Sequence, residues 1–144
     1  MIIESKCEKD TFELGKKIGR EAAPGDVYTL VGDLGVGKTV FTKGVAAGLG
    51  ILEPVSSPTF TIVQVYEEGR LPFYHFDVYR LCAPEELEEI GFEEYLSKDG
   101  VCLVEWAELF TEWIPSDAIW ITVEKDFAKG EDYRKITMRQ EEKA

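Results

Sequence analysis

The stretch GDLGVGKT, residues 32–39, restricts the fold of this chain more than any other feature. It matches the phosphate-loop pattern G-x-x-x-x-G-K-[ST], in which glycines let the backbone turn its N–H groups toward an anion. In that pattern the lysine reaches the β- and γ-phosphates and the following hydroxyl binds Mg²⁺. The candidate nucleotide-binding residues here are Gly32, Asp33, Leu34, Gly35, Val36, Gly37, Lys38, Thr39 and Val40.

The segments on either side of the loop have the character that a phosphate loop requires. Such a loop leaves a strand and opens a helix, so that the positive end of the helix faces the anion. Before the loop, DVYTLVG is rich in β-branched and aromatic residues and predicts a buried strand. After it, Phe41, Val45 and Leu49 recur at helical spacing. A plain glycine-rich turn between a strand and a helix is the alternative, and these flanks favour the phosphate loop.

The rest of the chain predicts an α/β fold. IIESKCE reads as a first strand, and Asp10 followed by Glu13 resembles a capping box that opens a helix with Leu14, Ile18 and Ala22 on one face. Residues 55–81 and 118–140 each predict a hairpin, residues 83–100 predict two short helices, and VCLVEW predicts a buried parallel strand. We therefore expect one P-loop NTPase-like domain over residues 1–144, a mixed sheet with a parallel core and antiparallel hairpins, flanked by helices.

Charge and composition limit the possible partners. The net charge of −12 disfavours direct, non-specific binding of nucleic acid. No apolar run approaches the roughly 20 residues that cross a bilayer, and charges interrupt the first ten residues. The three cysteines are far apart and form no C-x-x-C pair. These features predict a cytoplasmic protein without a membrane partner.

Two acids stand at predicted strand ends, where ligands of open α/β sheets are bound. Glu105 closes the apolar run of VCLVEW and fits a metal-binding acid, the alternative being an acid that faces solvent. Asp77 shares a strand face with His75 and fits a second metal-site or water-orienting group, the alternative being a pair with Arg80. We interpret His75 as a packed or hydrogen-bonded strand residue, because phosphoryl transfer has little need of a strong base.

Between the loop helix and the first hairpin strand lies SSPTFT, residues 56–61. In phosphate-loop switches a threonine of such a segment meets Mg²⁺ or the γ-phosphate. Thr59 and Thr61 are therefore candidates, and a plain loop leading into a strand is equally compatible with the sequence. Guanine recognition in phosphate-loop GTPases uses an N-K-x-D motif, and this chain contains no asparagine. ATP is therefore the expected nucleotide.

Three kinds of function are compatible with these residues: a partner-dependent ATPase, a small-molecule kinase and a non-catalytic nucleotide-binding module. Kinases of this size usually carry an arginine-rich lid. The five arginines of this chain are dispersed, and Arg80 is the one in a motif near the expected site. The kinase is therefore the second choice.

Four motifs, GDLGVGKTVFTKG, SPTFTIVQVY, YHFDVYRL and LVEWAE, occur in an order and spacing that closely resemble the TsaE (formerly YjeE) family. The resemblance implies an ATPase that acts with the TsaD and TsaB subunits in placing threonylcarbamoyl on adenosine 37 of tRNAs reading codons that begin with A. It implies Mg²⁺ ligands at Thr39 and Glu105, with Asp77 at the metal and catalytic site. The catalytic candidates are then Lys38, Thr61, Asp77 and Glu105.

Further positions follow from the same resemblance. The N-terminal stretch from Glu8 to Thr11 and the residue Glu108 are expected near the nucleotide. Ala107 stands where many members have proline, which affects the loop rather than the metal ligand. The acidic balance fits a protein that reaches tRNA only through its partners.

Overall fold

The computed structural model describes residues 1–33, 35–56, 58 and 61–140. The strands are β1 (Ile2–Ser5), β2 (Val27–Val31), β3 (Val63–Tyr66), β4 (Phe73–Asp77), β5 (Val101–Glu105), β6 (Ile119–Lys125) and β7 (Arg134–Gln140). The α-helices are α1 (Glu8–Glu21), α2 (Lys38–Gly48), α3 (Pro84–Glu89) and α4 (Phe92–Ser97). Two 3₁₀ segments, Ala107–Trp113 and Phe127–Lys129, complete the described elements. No helix among the described residues is long and apolar enough to span a bilayer.

One sheet carries the fold, with the strand order β1-β7-β6-β2-β5-β4-β3. The four inner strands β6, β2, β5 and β4 are parallel, and β7, β1 and β3 add to them in antiparallel pairs. The predicted mixed sheet with a parallel core and antiparallel hairpins is confirmed. Pairing of β1 with β7 was not predicted, and it brings the N-terminal strand into the same sheet.

Each face of the sheet is covered by its own helices. On one face, Ile18 of α1 and Phe41 and Val45 of α2 pack on Leu30 and Leu103 of the central strands. On the opposite face, Leu87 of α3 and Phe92 of α4 pack on the alternate strand residues Tyr74, Phe76 and Val104. Since strand side chains alternate between faces, His75 and Asp77 lie on the α2 side of β4 together with Phe73. The predicted alternation along this strand is confirmed.

The predicted capping box of α1 is wrong. The helix begins at Glu8, and the N–H groups of Asp10 and Thr11 both donate to the carbonyl of Cys7. Asp10 therefore lies in the first turn, where its carboxylate accepts from the N–H of Lys6 at 3.0 Å. A buried hydrogen bond of 2.6 Å between Ser5 Oγ and Thr11 Oγ1 ties the end of β1 to this first turn. That tertiary contact fixes an earlier start than the local pattern indicated.

Candidate nucleotide-binding site

The phosphate loop leaves the central strand β2 and opens α2, as the sequence predicted. Gly37 has a φ of 109°, a left-handed conformation that suits glycine, and it caps α2 without a side-chain acceptor. Because Gly37 has no side chain, it cannot cap the first-turn N–H groups of α2, and these groups suit an anion. Gly32 is required by space, because an added Cβ would lie 2.7 Å from Val36 Cγ1 and 2.8 Å from the carbonyl of Val123. Leu34 lies outside the described residues.

A strand from the far end of the chain holds this loop. Arg134, at the start of β7, donates from Nε to the carbonyl of Val36 at 2.7 Å. Its Nη1 donates to the carbonyls of Glu131 and Tyr133 at 2.6 and 2.7 Å. The sequence singled out Arg80 as the arginine of a motif near the site, whereas Arg134, which lies in none of the quoted motifs, contacts the loop itself. Sequence reasoning missed this residue since a main-chain carbonyl can accept from an arginine anywhere in the chain.

A cavity opens beside the loop, between α1 and the beginning of β7. It is lined by Glu8, Thr11, Gly35, Val36, Gly37, Val40, Asp132 and Arg134. The structure thus brings the N-terminal turn of α1 next to the phosphate loop. Glu8 and Thr11 thus lie beside the loop, and their contact with a nucleotide stays a prediction.

Lys38 is buried against the acid of β5. Its side chain is only 8% exposed, and Nζ lies 3.8 Å from Glu105 Oε1. The same ammonium group lies 4.5 Å from the centroid of the Trp106 ring, within cation–π range. Trp106 follows β5 directly and has a φ of 65°, unusual for a residue with a side chain. The strand end therefore delivers both an acid and an aromatic ring to the loop lysine.

Glu105 is buried rather than facing solvent, so the alternative of an exposed strand-end acid is wrong. Its exposure is 7%, and His75 of the neighbouring strand β4 meets it, with Nε2 lying 2.6 Å from Oε2. The two carboxylate oxygens thus have different partners, Lys38 on Oε1 and His75 on Oε2. The interpretation of His75 as a buried, hydrogen-bonded strand residue is confirmed.

Asp77 lies directly beside Glu105. The two residues are paired in the parallel register of β4 and β5, so both acids stand at the carboxyl ends of adjacent strands. Asp77 is 6% exposed, and its Oδ1 accepts from the N–H of Tyr79 at 3.0 Å. A ligand at this sheet edge meets two carboxylates on the face that carries α2.

The donor set suits Mg²⁺. Glu105, Asp77 and the hydroxyl of Thr39, which is exposed in the first turn of α2, all offer oxygen atoms. The described residues contain no group of three or more His, Cys, Asp or Glu side chains arranged to hold a metal ion. Mg²⁺ does not need such a cage, since it is commonly bound by one or two carboxylates together with substrate phosphates and water. The residues present therefore fit a magnesium ion that arrives with a nucleotide.

Of the remaining candidate residues, Thr61 and Glu108 have no described contact with the phosphate loop. Thr61 is exposed, accepts from Gln64 Nε2 at 3.1 Å, and precedes Ile62, whose carbonyl accepts from the N–H of Asp77 at 2.8 Å. Thr61 thus lies near the carboxyl end of β4, while Thr59 lies outside the described residues. Glu108 is exposed at the start of the 3₁₀ segment after β5 and is not among the residues that line the cavity beside the loop. Its nucleotide contact stays a prediction.

Comparison with known proteins decides the family. The family profile described as "Threonylcarbamoyl adenosine biosynthesis protein TsaE" matches residues 5–136. This chain belongs to the TsaE family. TsaE of Bacillus subtilis is 50% identical over 129 residues, which cover 90% of this chain and 78% of that protein. TsaE of Treponema pallidum is 44% identical over 119 residues, which cover 83% of this chain and 87% of that protein.

The fold comparison agrees with the sequence comparisons. The crystal structure of YdiB from Bacillus subtilis aligns with a TM-score of 0.82 and 43% sequence identity, covering 96% of this chain and 83% of that one. The sequence-based resemblance to TsaE and the predicted fold class are both confirmed. As a member of the TsaE family, the chain belongs to the proteins of tRNA threonylcarbamoyladenosine biosynthesis.

Proposed function

We propose that this TsaE-family chain is a Mg²⁺-dependent ATP hydrolase that acts with TsaD and TsaB subunits. The modification it serves is the threonylcarbamoyl group on adenosine 37 of tRNAs that read codons beginning with A. The observation that carries the proposal is the contact of the loop lysine with the strand-end acid, Lys38 Nζ lying 3.8 Å from Glu105 Oε1. In a phosphate-loop enzyme these groups serve the phosphates and the metal, respectively.

The phosphate loop performs the binding step. Its backbone N–H groups and the N-terminus of α2 receive the triphosphate, and Lys38 turns from Glu105 to the β- and γ-phosphates. The cavity at Glu8 and Thr11 receives the rest of the nucleotide. Binding thereby exchanges one anionic partner of the lysine for another, so that the positive charge stays paired throughout.

The acids at the sheet edge perform the metal and water steps. Thr39, Glu105 and Asp77 would hold Mg²⁺, which would neutralise charge on the phosphate oxygens. Asp77, at the end of β4, and Thr61, before β3, would orient the attacking water. Both lie on the segment that leads from SSPTFT through β4, so movement of this segment would couple the γ-phosphate to the protein surface.

The charge of the chain supports an indirect role toward tRNA. A net charge of −12 repels a polyanion and leaves direct RNA contact to the partner subunits. Action in tRNA modification places the protein in the cytoplasm, where its three free cysteines stay reduced.

The test measures ADP formation by the purified chain in Mg²⁺ and ATP, alone and with TsaD and TsaB. We expect ADP in both conditions, at different rates, and much slower ADP formation by Lys38→Ala. Lys43→Ala is the matched control, because Lys43 is an exposed lysine of the same helix. No ADP in either condition would indicate a binding module, and ADP formed only with a small phosphate acceptor would indicate a kinase.

A further inference from the structure

His75 controls how the carboxylate of Glu105 is presented. The imidazole is 2% exposed in the middle of β4, and its ring is parallel to Phe73 at a centroid distance of 6.1 Å and an interplanar angle of 6°. Nε2 lies 2.6 Å from Glu105 Oε2. Within the described part of the chain, Nδ1 is buried without a hydrogen-bond partner. One ring nitrogen is thus committed to Glu105.

The direction of this hydrogen bond follows from the groups involved. An ionised carboxylate can only accept, so Nε2 carries the hydrogen and donates it to Oε2. In the neutral ring Nδ1 is then an acceptor only. The ring is held between Phe73 and Glu105, and it therefore fixes both the rotation and the position of the carboxylate.

The two oxygens of Glu105 become unequal as a result. Oε2 is occupied by His75, whereas Oε1 is the oxygen next to Lys38 of the phosphate loop. A cation that replaced Lys38 at the loop would therefore meet only one oxygen of Glu105, Oε1. One oxygen per carboxylate suits the near-ideal octahedron of Mg²⁺, whereas Ca²⁺ takes 6–8 ligands and readily uses both oxygens of a carboxylate.

We propose that His75 is a positioning residue that restricts Glu105 to one metal-facing oxygen and thereby favours Mg²⁺ over Ca²⁺. The inference rests on the proposed function, in which Glu105 is a metal ligand. It assigns His75 no proton transfer and no contact with the phosphates. The bond to Oε2 orients the ligand, as partners of metal-ligating carboxylates commonly do.

The experiment measures the affinity for a non-hydrolysable ATP analogue by calorimetry in Mg²⁺, in Ca²⁺ and in EDTA without either metal. The analogue excludes turnover. The wild-type protein is expected to bind more tightly in Mg²⁺. His75→Phe keeps a ring of similar size but donates no hydrogen bond, so the ratio of the two affinities should fall by about tenfold. His75→Gln can place an amide N–H near the position of Nε2 and should restore most of the ratio.

The outcomes separate the two proposals. If His75→Phe weakens binding equally in both metals, or leaves the ratio unchanged, His75 is structural and the inference is wrong. If the wild-type affinity is the same with and without either metal, the metal role of Glu105 itself fails. Should His75→Phe not fold, His75→Asn replaces it, because the shorter amide cannot reach Oε2. The ratio of the Mg²⁺ affinity to the Ca²⁺ affinity is then expected to be lower for His75→Asn than for His75→Gln. Equal ratios for the two variants would overturn the inference.

Discussion

Lys38 Nζ lies 3.8 Å from Glu105 Oε1 and 4.5 Å from the centre of the Trp106 ring. The ammonium group of the phosphate-loop lysine therefore interacts with two side chains of the same chain. The Lys38 side chain is only 8% exposed, so separating its charge from Glu105 without a new anionic partner would cost free energy. In the proposed function, an incoming phosphate would be the new partner of Lys38, and Mg²⁺ would replace the positive charge beside Glu105. Such an exchange predicts that nucleotide and metal bind together.

Replacing Lys38 by alanine should remove most of the nucleotide affinity. Hydrogen bonds to charged groups contribute about 1.5–3 kcal/mol, which corresponds to a loss of about 10- to 100-fold in affinity. Calorimetry with a non-hydrolysable ATP analogue measures the effect, and circular dichroism checks that the variant is folded. Lys43→Ala should bind as the wild type does. Near-wild-type affinity in a folded Lys38→Ala variant would contradict a phosphate-binding role.

The second prediction concerns the contact between α1 and α2, where replacing a helical glycine by alanine should lower the stability of the protein. Gly15 and Gly19 of α1 face Gly44 and Gly48 of α2, and a Cβ added at Gly44 would lie 2.2 Å from the carbonyl of Phe12. Helix propensity alone predicts that Gly44→Ala stabilises the protein by about 1 kcal/mol. The close backbone approach predicts the opposite, a loss of about 1–3 kcal/mol or more from forced displacement of the helices.

Denaturant unfolding of Gly44→Ala and Lys43→Ala tests this contact. The neighbouring lysine is exposed on the same helix, so its variant should unfold within about 0.5 kcal/mol of the wild type. A Gly44→Ala protein as stable as the wild type, or more stable, would show that the two helices do not approach this closely. Because α1 carries Thr11 and α2 carries Lys38, the same contact holds the cavity at Glu8 and Thr11 beside the phosphate loop.

Arg134 gives a third prediction. Its bond to the carbonyl of Val36 fixes the conformation of the phosphate loop, so Arg134→Gln should weaken binding of the ATP analogue by about tenfold through loss of a charged donor. Lys135→Gln, which removes an exposed charge from the next residue of β7, serves as the control. If the two variants lose the same small amount of affinity, Arg134 acts through general charge and not through the loop.

The parts of the site that the sequence predicted are those encoded within a few consecutive residues. Gly37 and Lys38 lie in one motif, and Glu105 ends an apolar strand, so each could be found locally. The bond of His75 to Glu105 depends on the register of β4 and β5, which no local pattern contains. The bond of Arg134 to Val36 joins residues 98 positions apart and ends on a main-chain carbonyl. Contacts of this kind leave no signal in the identity of the acceptor residue.

The start of α1 and the turn after β5 illustrate the same limit. Asp10 and Glu13 have the spacing of a capping box, but the bond of Ser5 to Thr11 fixes the helix start at Glu8. Tertiary contact thus overrides local propensity. The 3₁₀ segment Ala107–Trp113 was not predicted, because it contains a non-helical residue, Phe110, and shows no regular helical period.

The last prediction concerns coupling to the partner subunits. The charge that develops on the γ-phosphoryl group needs a cation besides Lys38 and Mg²⁺, and an arginine finger commonly supplies it, with an effect on the order of 10³–10⁵ in rate. Arg70 donates to three carbonyls at the end of α1, and Arg134 donates to the carbonyl of Val36. Both are thus engaged by the backbone, and we expect slow hydrolysis by the isolated chain.

A partner that completes the site should therefore change both rate and affinity. Binding reciprocity requires that ATP alters partner affinity by the same factor by which the partner alters ATP affinity, typically about 5- to 150-fold. Two measurements decide this: the affinity of TsaD with TsaB for the chain in ADP and in an ATP analogue, and ADP formation with and without the partners. Arg80→Ala, which changes the exposed arginine three residues after Asp77, tests whether the missing cation comes from this chain instead. If the partners move neither quantity, the coupling is absent and the chain is a free-standing ATPase; if Arg80→Ala abolishes hydrolysis by the isolated chain, the cation is supplied in cis.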